Sequence, residues 1–114
     1  MLPVELEVRR QQNQASLLLR VDPDLPWFRG HFPGQPLLPG VAQLDWVMHY
    51  ATRLLAPGKR FASVESIKFQ RPVLPGAQLA LTLSWQPPQK LTFQYEIVNA
   101  QGRTPASSGK VTLC

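Results

Sequence analysis

Apolar and polar positions alternate from the first residues of the chain. In VELEVR, Val4, Leu6 and Val8 share one side of an extended segment and Glu5, Glu7 and Arg9 the other, the period of two expected of a half-buried strand. A polar turn, QQNQ, separates this strand from a second extended run, Ser16 to Val21. The second half of the chain repeats the pattern. SVESIKFQRPV is extended up to an LPG turn, QLALTLSW alternates Leu79, Leu81, Leu83 and Trp85, and KLTFQYEIV alternates Leu91, Phe93, Tyr95 and Ile97. QPPQ joins the last two as a hairpin connection, and NAQGRTPASSG leads to a final strand predicted over Lys110 to Leu113.

Only one segment breaks the period of two in favour of a helix. From Gly40 to about Ala56 the apolar residues recur at helical spacing, and Pro57 and Gly58 stop them. At 100° per residue, Val41, Leu44, Val47, Met48, Ala51, Leu54 and Leu55 fall on one arc of roughly 140°, which predicts the buried face. Asp45 lies at the edge of that arc, while Trp46, Tyr50 and Arg53 point elsewhere. One helix and about six strands joined by short turns predict an α+β domain, an antiparallel sheet with the helix packed on one face. No repeat or linker interrupts it, so residues 1–114 read as a single domain.

Composition narrows the function classes. The apolar fraction is 44% and the charged fraction 17%, ordinary for a globular chain. The longest apolar runs have strand length, which predicts no membrane span. The first residues lack the basic-then-apolar order of a signal peptide, so a cytoplasmic location is expected. Cys114 has no second cysteine to pair with inside the chain. The net charge of +5 is spread without a Lys/Arg run, which argues against nucleic acid and favours an acidic protein or an anionic ligand as partner.

The candidate chemistry sits between the second strand and the helix. RGHFPGQPLLPGVAQLDW, Arg29 to Trp46, sets three prolines and three glycines around His31 and runs directly into the helix that carries Asp45. No phosphate-binding glycine loop, no G-x-S-x-G elbow and no cysteine-rich zinc site occurs. Three groups remain: His31, Asp45 and His49. The last two, at i and i+4, could share a metal with His31, but the sequence advertises neither a further ligand nor partners to orient the ligands, and no metal is expected.

At this point the residues resemble a known family. HFPGQPLLPGVAQLD is similar to the active-site signature of the β-hydroxyacyl-acyl carrier protein dehydratases of the hot-dog fold: H-F-P-G or H-F-x-G, then x-P-x-x-P-G, with an Asp or Glu fourteen residues after the His. His31 and Asp45 have that separation, and Phe32, Gly34, Pro36, Pro39 and Gly40 fall in place. IKFQRPVLPGAQL also resembles the family's strand and turn after the helix. The resemblance implies a curled antiparallel sheet around one central helix, and a dimer in which His31 of one protomer faces the partner subunit's Asp45. It implies His31 as base and Asp45 as acid in removing water from a 3-hydroxyacyl thioester, with the backbone N–H of Gly40 as donor to the thioester oxygen. Leu37, Leu38, Val41, Leu44 and Met48 are the expected tunnel residues, although a helix stripe needs burial in any case. Arg29, Lys68 and Arg71 are candidate contacts for phosphopantetheine or an acyl carrier protein. No cofactor of the protein's own is implied, because the substrate rides on the carrier.

Two departures accompany the match. His49 stands where the family often has Gln, and the chain is shorter than the housekeeping enzymes, which makes it look more like the accessory dehydratases of specialised lipid or polyene gene clusters. A hot-dog thioesterase, which needs no histidine in this loop, and a non-catalytic acyl-binding subunit of a heterodimer are the competing readings.

Overall fold

Cross-strand register shows how the alternation becomes a core. In the computed structural model, which describes residues 1–29 and 36–114, six strands form one antiparallel sheet: β1 (Val4–Gln11), β2 (Gln14–Arg20), β3 (Phe61–Phe69), β4 (Gln78–Gln86), β5 (Lys90–Asn99) and β6 (Gly102–Leu113). One helix, α1 (Gly40–Leu54), and a 3-10 turn at Pro26–Phe28 complete the described elements. Leu17 pairs with Leu81 and Leu81 with Tyr95, while Leu19 pairs with Leu79, so the inward residues of β2, β4 and β5 form continuous rows. Leu79 pairs in turn with Ile97, which is only partly buried; the others are shielded from solvent and pack in one core with α1.

The strand order is β1-β2-β4-β5-β6-β3. The chain leaves β2, passes through α1, and crosses to the far edge, where β3 pairs with β6. It then returns to β4 through a type II turn: Ala77 N–H donates to the Leu74 carbonyl at 3.2 Å, Pro75 presets the second position, and Gly76 takes φ +83°. Gly76 N–H also donates to the Val21 carbonyl at 2.7 Å, tying this turn to the end of β2.

Three expectations change. β6 begins at Gly102, eight residues before the predicted start at Lys110, because Pro105 falls beside a bulge at Tyr95/Glu96, where a missing N–H does not break the ladder. The helix ends at Leu54 instead of about Ala56, as Leu55 and Ala56 N–H both turn onto the Ala51 carbonyl at 2.8 Å. The largest change concerns the helix face. Val41 is 71% exposed, whereas Trp46 and Tyr50 are fully buried together with Ala42, Gln43, Val47 and Ala51. Aromatic side chains bury about 150–250 Å² each, so the sheet takes the face that carries them and leaves much of the aliphatic arc outward.

Candidate functional site

The uncovered side of α1 is the floor of a cavity of about 840 Å³. Val41, Leu44 and Met48 supply its apolar stripe, and Asp45, His49 and Thr52 lie beside them on the same side of the helix. Met1 and Leu2 form one wall, Arg60 and Phe61 another. The space between helix and sheet is a packed core filled by Trp46, Val47 and Tyr50, and the open volume lies on the opposite face of the helix. Of the residues expected to line a tunnel, Val41, Leu44 and Met48 line this cavity. Leu37 and Leu38 border a second cavity instead, Leu38 from within the core.

Asp45 is exposed on the helix, one turn from His49, whose ring stands edge-on to Tyr50 at 5.0 Å. Both line the same cavity, and among the described residues no three His, Cys, Asp or Glu side chains converge. His31 lies outside the described residues, so its distance to Asp45 is not part of this geometry.

Gly40 opens the helix behind Pro39, and no side chain caps that end among the described residues. First-turn N–H groups have no partner within a helix, which leaves this end free to donate outward. The Phe69 ring lies so close that a Cβ on Gly40 would stand 2.5 Å from its Cζ. A side chain at Gly40 would have to displace this half-exposed ring. Gly40, Leu37, Phe69 and Arg71 share the second cavity, about 330 Å³. The structure thus brings Arg71 to the helix start and sends Lys68 elsewhere: alternation along β3 points Lys68 to the outer face, in a groove with Lys110, Ser66 and Ser108. Arg29 is exposed after the 3-10 turn and joins neither group.

Gln43 is a functional-site neighbour that the hydrophobic pattern does not reveal. It is buried, and its carbonyl oxygen Oε1 accepts from Ser107 Oγ at 2.7 Å on β6. Its main-chain oxygen accepts from the Tyr95 hydroxyl at 2.8 Å on β5, and its amide donates to the Leu38 carbonyl at 3.4 Å. The first turns of α1 are thereby fixed to two strands and to the chain leading into Gly40. A signal does exist in the sequence: Gln43, Trp46, Val47 and Tyr50 are spaced i, i+3, i+4, i+7, the footprint of a single helix face.

Electrostatics ties β1 to the far end of α1. Arg53 donates to both Glu5 oxygens, at 2.8 and 3.0 Å, and that pairing holds the Glu5 carboxyl below its ordinary range and the Arg53 guanidinium above its own. Burial, followed by the nearby Glu5 charge, pushes the Tyr50 phenol up to about 12, although Arg53 over its ring at 5.2 Å opposes this. Burial pushes Tyr95 up as well.

A curled antiparallel sheet closed on one side of a single helix, with the other side of that helix left open, defines the hot-dog class of α+β domain. Within that class the chain belongs to the ApeI-like family (ApeI dehydratase), whose model matches residues 7–110. It is similar over its whole length to one component of the dehydratase heterocomplex ApeI:P from Xenorhabdus doucetiae, with 51% identity, a TM-score of 0.92 and 99% of that chain covered. An uncharacterized protein from Erwinia carotovora subsp. atroseptica is 57% identical, with a TM-score of 0.91, over all of this chain and 97% of the other. The 3-hydroxyacyl-[acyl-carrier-protein] dehydratase FabZ of Proteus mirabilis is 43% identical over 70 residues, 53% of this chain and 46% of that protein. The match thus spans about half the length of the curated relatives. No helix among the described residues is long and apolar enough to cross a membrane.

Proposed function

We propose that this protein removes water from a 3-hydroxyacyl thioester carried on acyl carrier protein, giving the trans-2-enoyl thioester. One observation carries the reading: the carboxylate placed fourteen residues after His31 in HFPGQPLLPGVAQLD opens into an apolar cavity on the free side of α1. Its full-length likeness to a dehydratase subunit and its partial likeness to FabZ support the same chemistry.

In this reading His31, as a neutral imidazole, takes the proton from C2. The C2–H electron pair becomes the C2–C3 double bond, the C3–O bond breaks, and Asp45 as a carboxylic acid gives its proton to the departing hydroxyl, which leaves as water. Charge gathers on the thioester oxygen during proton removal. The N–H of Gly40, aimed outward from the helix start, is the donor that meets it, while Arg71 beside the same cavity offers a positive group to the phosphates of a carrier arm. No cofactor is needed for these steps.

Asp45 is open to solvent in the single chain, and a general acid works best where water is excluded. A second hot-dog subunit, either another copy or a related chain as the Xenorhabdus heterocomplex suggests, closes the site in this reading and sets His31 against the partner subunit's Asp45. The test is hydration of a 2-enoyl thioester followed by loss of its ultraviolet absorbance. Wild type turns over, and His31→Ala and Asp45→Asn each lose at least a hundredfold in kcat/KM. Full activity in both variants overturns the assignment, and absorbance loss matched one for one by free thiol, with no 3-hydroxyacyl thioester formed, makes the protein a thioesterase.

A further inference from the structure

The wall formed by Met1 and Leu2 is held by an unusual pair of contacts. The Met1 carbonyl accepts one hydrogen bond from Trp27 Nε1 at 3.1 Å and another from Trp46 Nε1 at 2.8 Å. Trp46 is fully buried on α1, so its N–H has no water to turn to, and the Met1 carbonyl satisfies it. Trp27 belongs to the 3-10 turn that leads toward His31. With both lone pairs of one carbonyl engaged, the segment is locked to the helix and to the 3-10 turn at the same time. Leu2, 39% exposed, faces the same cavity as Val41, Leu44 and Met48. On the other side the backbone of Arg60 and Phe61 is held to Leu113 and Cys114, but the Phe61 ring itself, 47% exposed on an edge strand, has no polar group to anchor it.

We propose that the Met1–Leu2 segment, fixed by Trp27 and Trp46, is the rigid wall that sets how long an acyl chain the cavity admits. This rests on the dehydratase reading for the nature of the ligand. Carbons beyond C3 leave Asp45 into this cavity, and the room they find is decided by the side that cannot give way. Leu2 is then a specificity-determining residue and Trp27 a positioning residue acting through it. One methylene too many in a fixed apolar pocket costs about tenfold or more in binding, whereas a yielding wall discriminates little.

The test uses unreactive acyl-pantetheine thioethers with four- and ten-carbon chains, titrated calorimetrically into the purified protein, with enoyl-thioester hydration measured alongside. Leu2→Trp is expected to weaken ten-carbon binding about tenfold while four-carbon binding stays within twofold. Leu2→Ala is expected to favour the longer chain. Trp27→Phe, which removes one of the two donors but leaves an aromatic ring in place, is expected to blur the preference with melting temperature unchanged. A ten- to four-carbon affinity ratio within twofold of wild type in both Leu2 variants overturns the proposal, as does failure of wild type to bind either thioether. A ratio that moves as expected in a protein without hydration activity sinks the dehydratase reading and leaves the wall standing. Normal hydration with an unmoved ratio does the reverse.

Discussion

Tyr50 shows how a single residue in the helix core ties stability to the functional face. Its ring is fully buried against the sheet, its edge meets His49, and among the described residues its hydroxyl has no hydrogen-bond partner. An unpaired buried hydroxyl costs about 1–3 kcal/mol, so Tyr50→Phe is expected to be at least as stable as wild type at neutral pH, by up to about 1 kcal/mol in chemical denaturation. The pH dependence follows from the raised phenol. An unfolded chain loses the Tyr50 proton near pH 10, while the folded chain keeps it to about 12, so the folded state binds the extra proton in that window. Stability therefore falls as pH rises from 10 toward 12, by roughly 1.4 kcal/mol per unit at most from this residue, and is indifferent to it below 10. Denaturation curves from pH 9 to 12 are expected to be flatter for Tyr50→Phe, with a residual slope from Tyr95, whose phenol is also raised. Parallel curves for variant and wild type would place the Tyr50 hydroxyl in water.

The seat of α1 joins two kinds of burial that the sequence presents differently. The sheet side was only partly legible: strand alternation identified Leu79, Leu81, Leu83, Leu91 and Phe93 as inward, and all are buried. A wheel built on aliphatic residues nevertheless turned the helix toward Val41, because it counted hydrophobicity and ignored size. The apolar surface of α1 covers two faces, one filled by Trp46 and Tyr50, the other open at the cavity, and periodicity alone does not say which is which. Gln43 shares the helix face of Trp46, Val47 and Tyr50 in the sequence, but what makes a buried amide acceptable there, its bonds to Ser107 and Tyr95, comes from far away in the chain and is not legible from the hydrophobic pattern. Its importance is open to measurement. Ser107→Ala strands the Gln43 oxygen in the core and is expected to cost about 1–3 kcal/mol, while the double variant Gln43→Leu, Ser107→Ala recovers most of that loss. Equal losses in the single and double variants, by urea denaturation, would mean that the pair is not coupled.

At the scale of the whole molecule the two edges of the sheet are unequal. β1 is tied to α1 by the Glu5–Arg53 pair, whereas β3, reached by the crossover, pairs with β6 alone among the described residues. Both edges expose apolar residues, Val4, Leu6 and Val8 on β1 at 37%, 45% and 37% and Phe61, Val64 and Phe69 on β3 at 47%, 38% and 53%, but only β3 exposes aromatic rings, a surface that an edge strand facing water does not carry without risk of aggregation. The same edge borders both cavities, Phe61 at the larger and Phe69 at Gly40, so a subunit added there covers the exposed acid and the helix start together. The family resemblance implies a dimer but not which edge forms it, since strand alternation does not distinguish an edge from a centre. A charge set into the edge therefore separates assembly from folding. Val64→Lys is expected to keep the circular dichroism of wild type, to sediment with the mass of a single chain, and to lose at least a hundredfold in enoyl hydration because Asp45 is left in water. If the variant keeps both the wild-type mass and the wild-type rate, β3 is not the interface. If wild type itself sediments as one chain and is inactive until a related subunit is added, the same substitution should abolish that rescue, which makes β3 the contact for an unlike partner instead of a second copy.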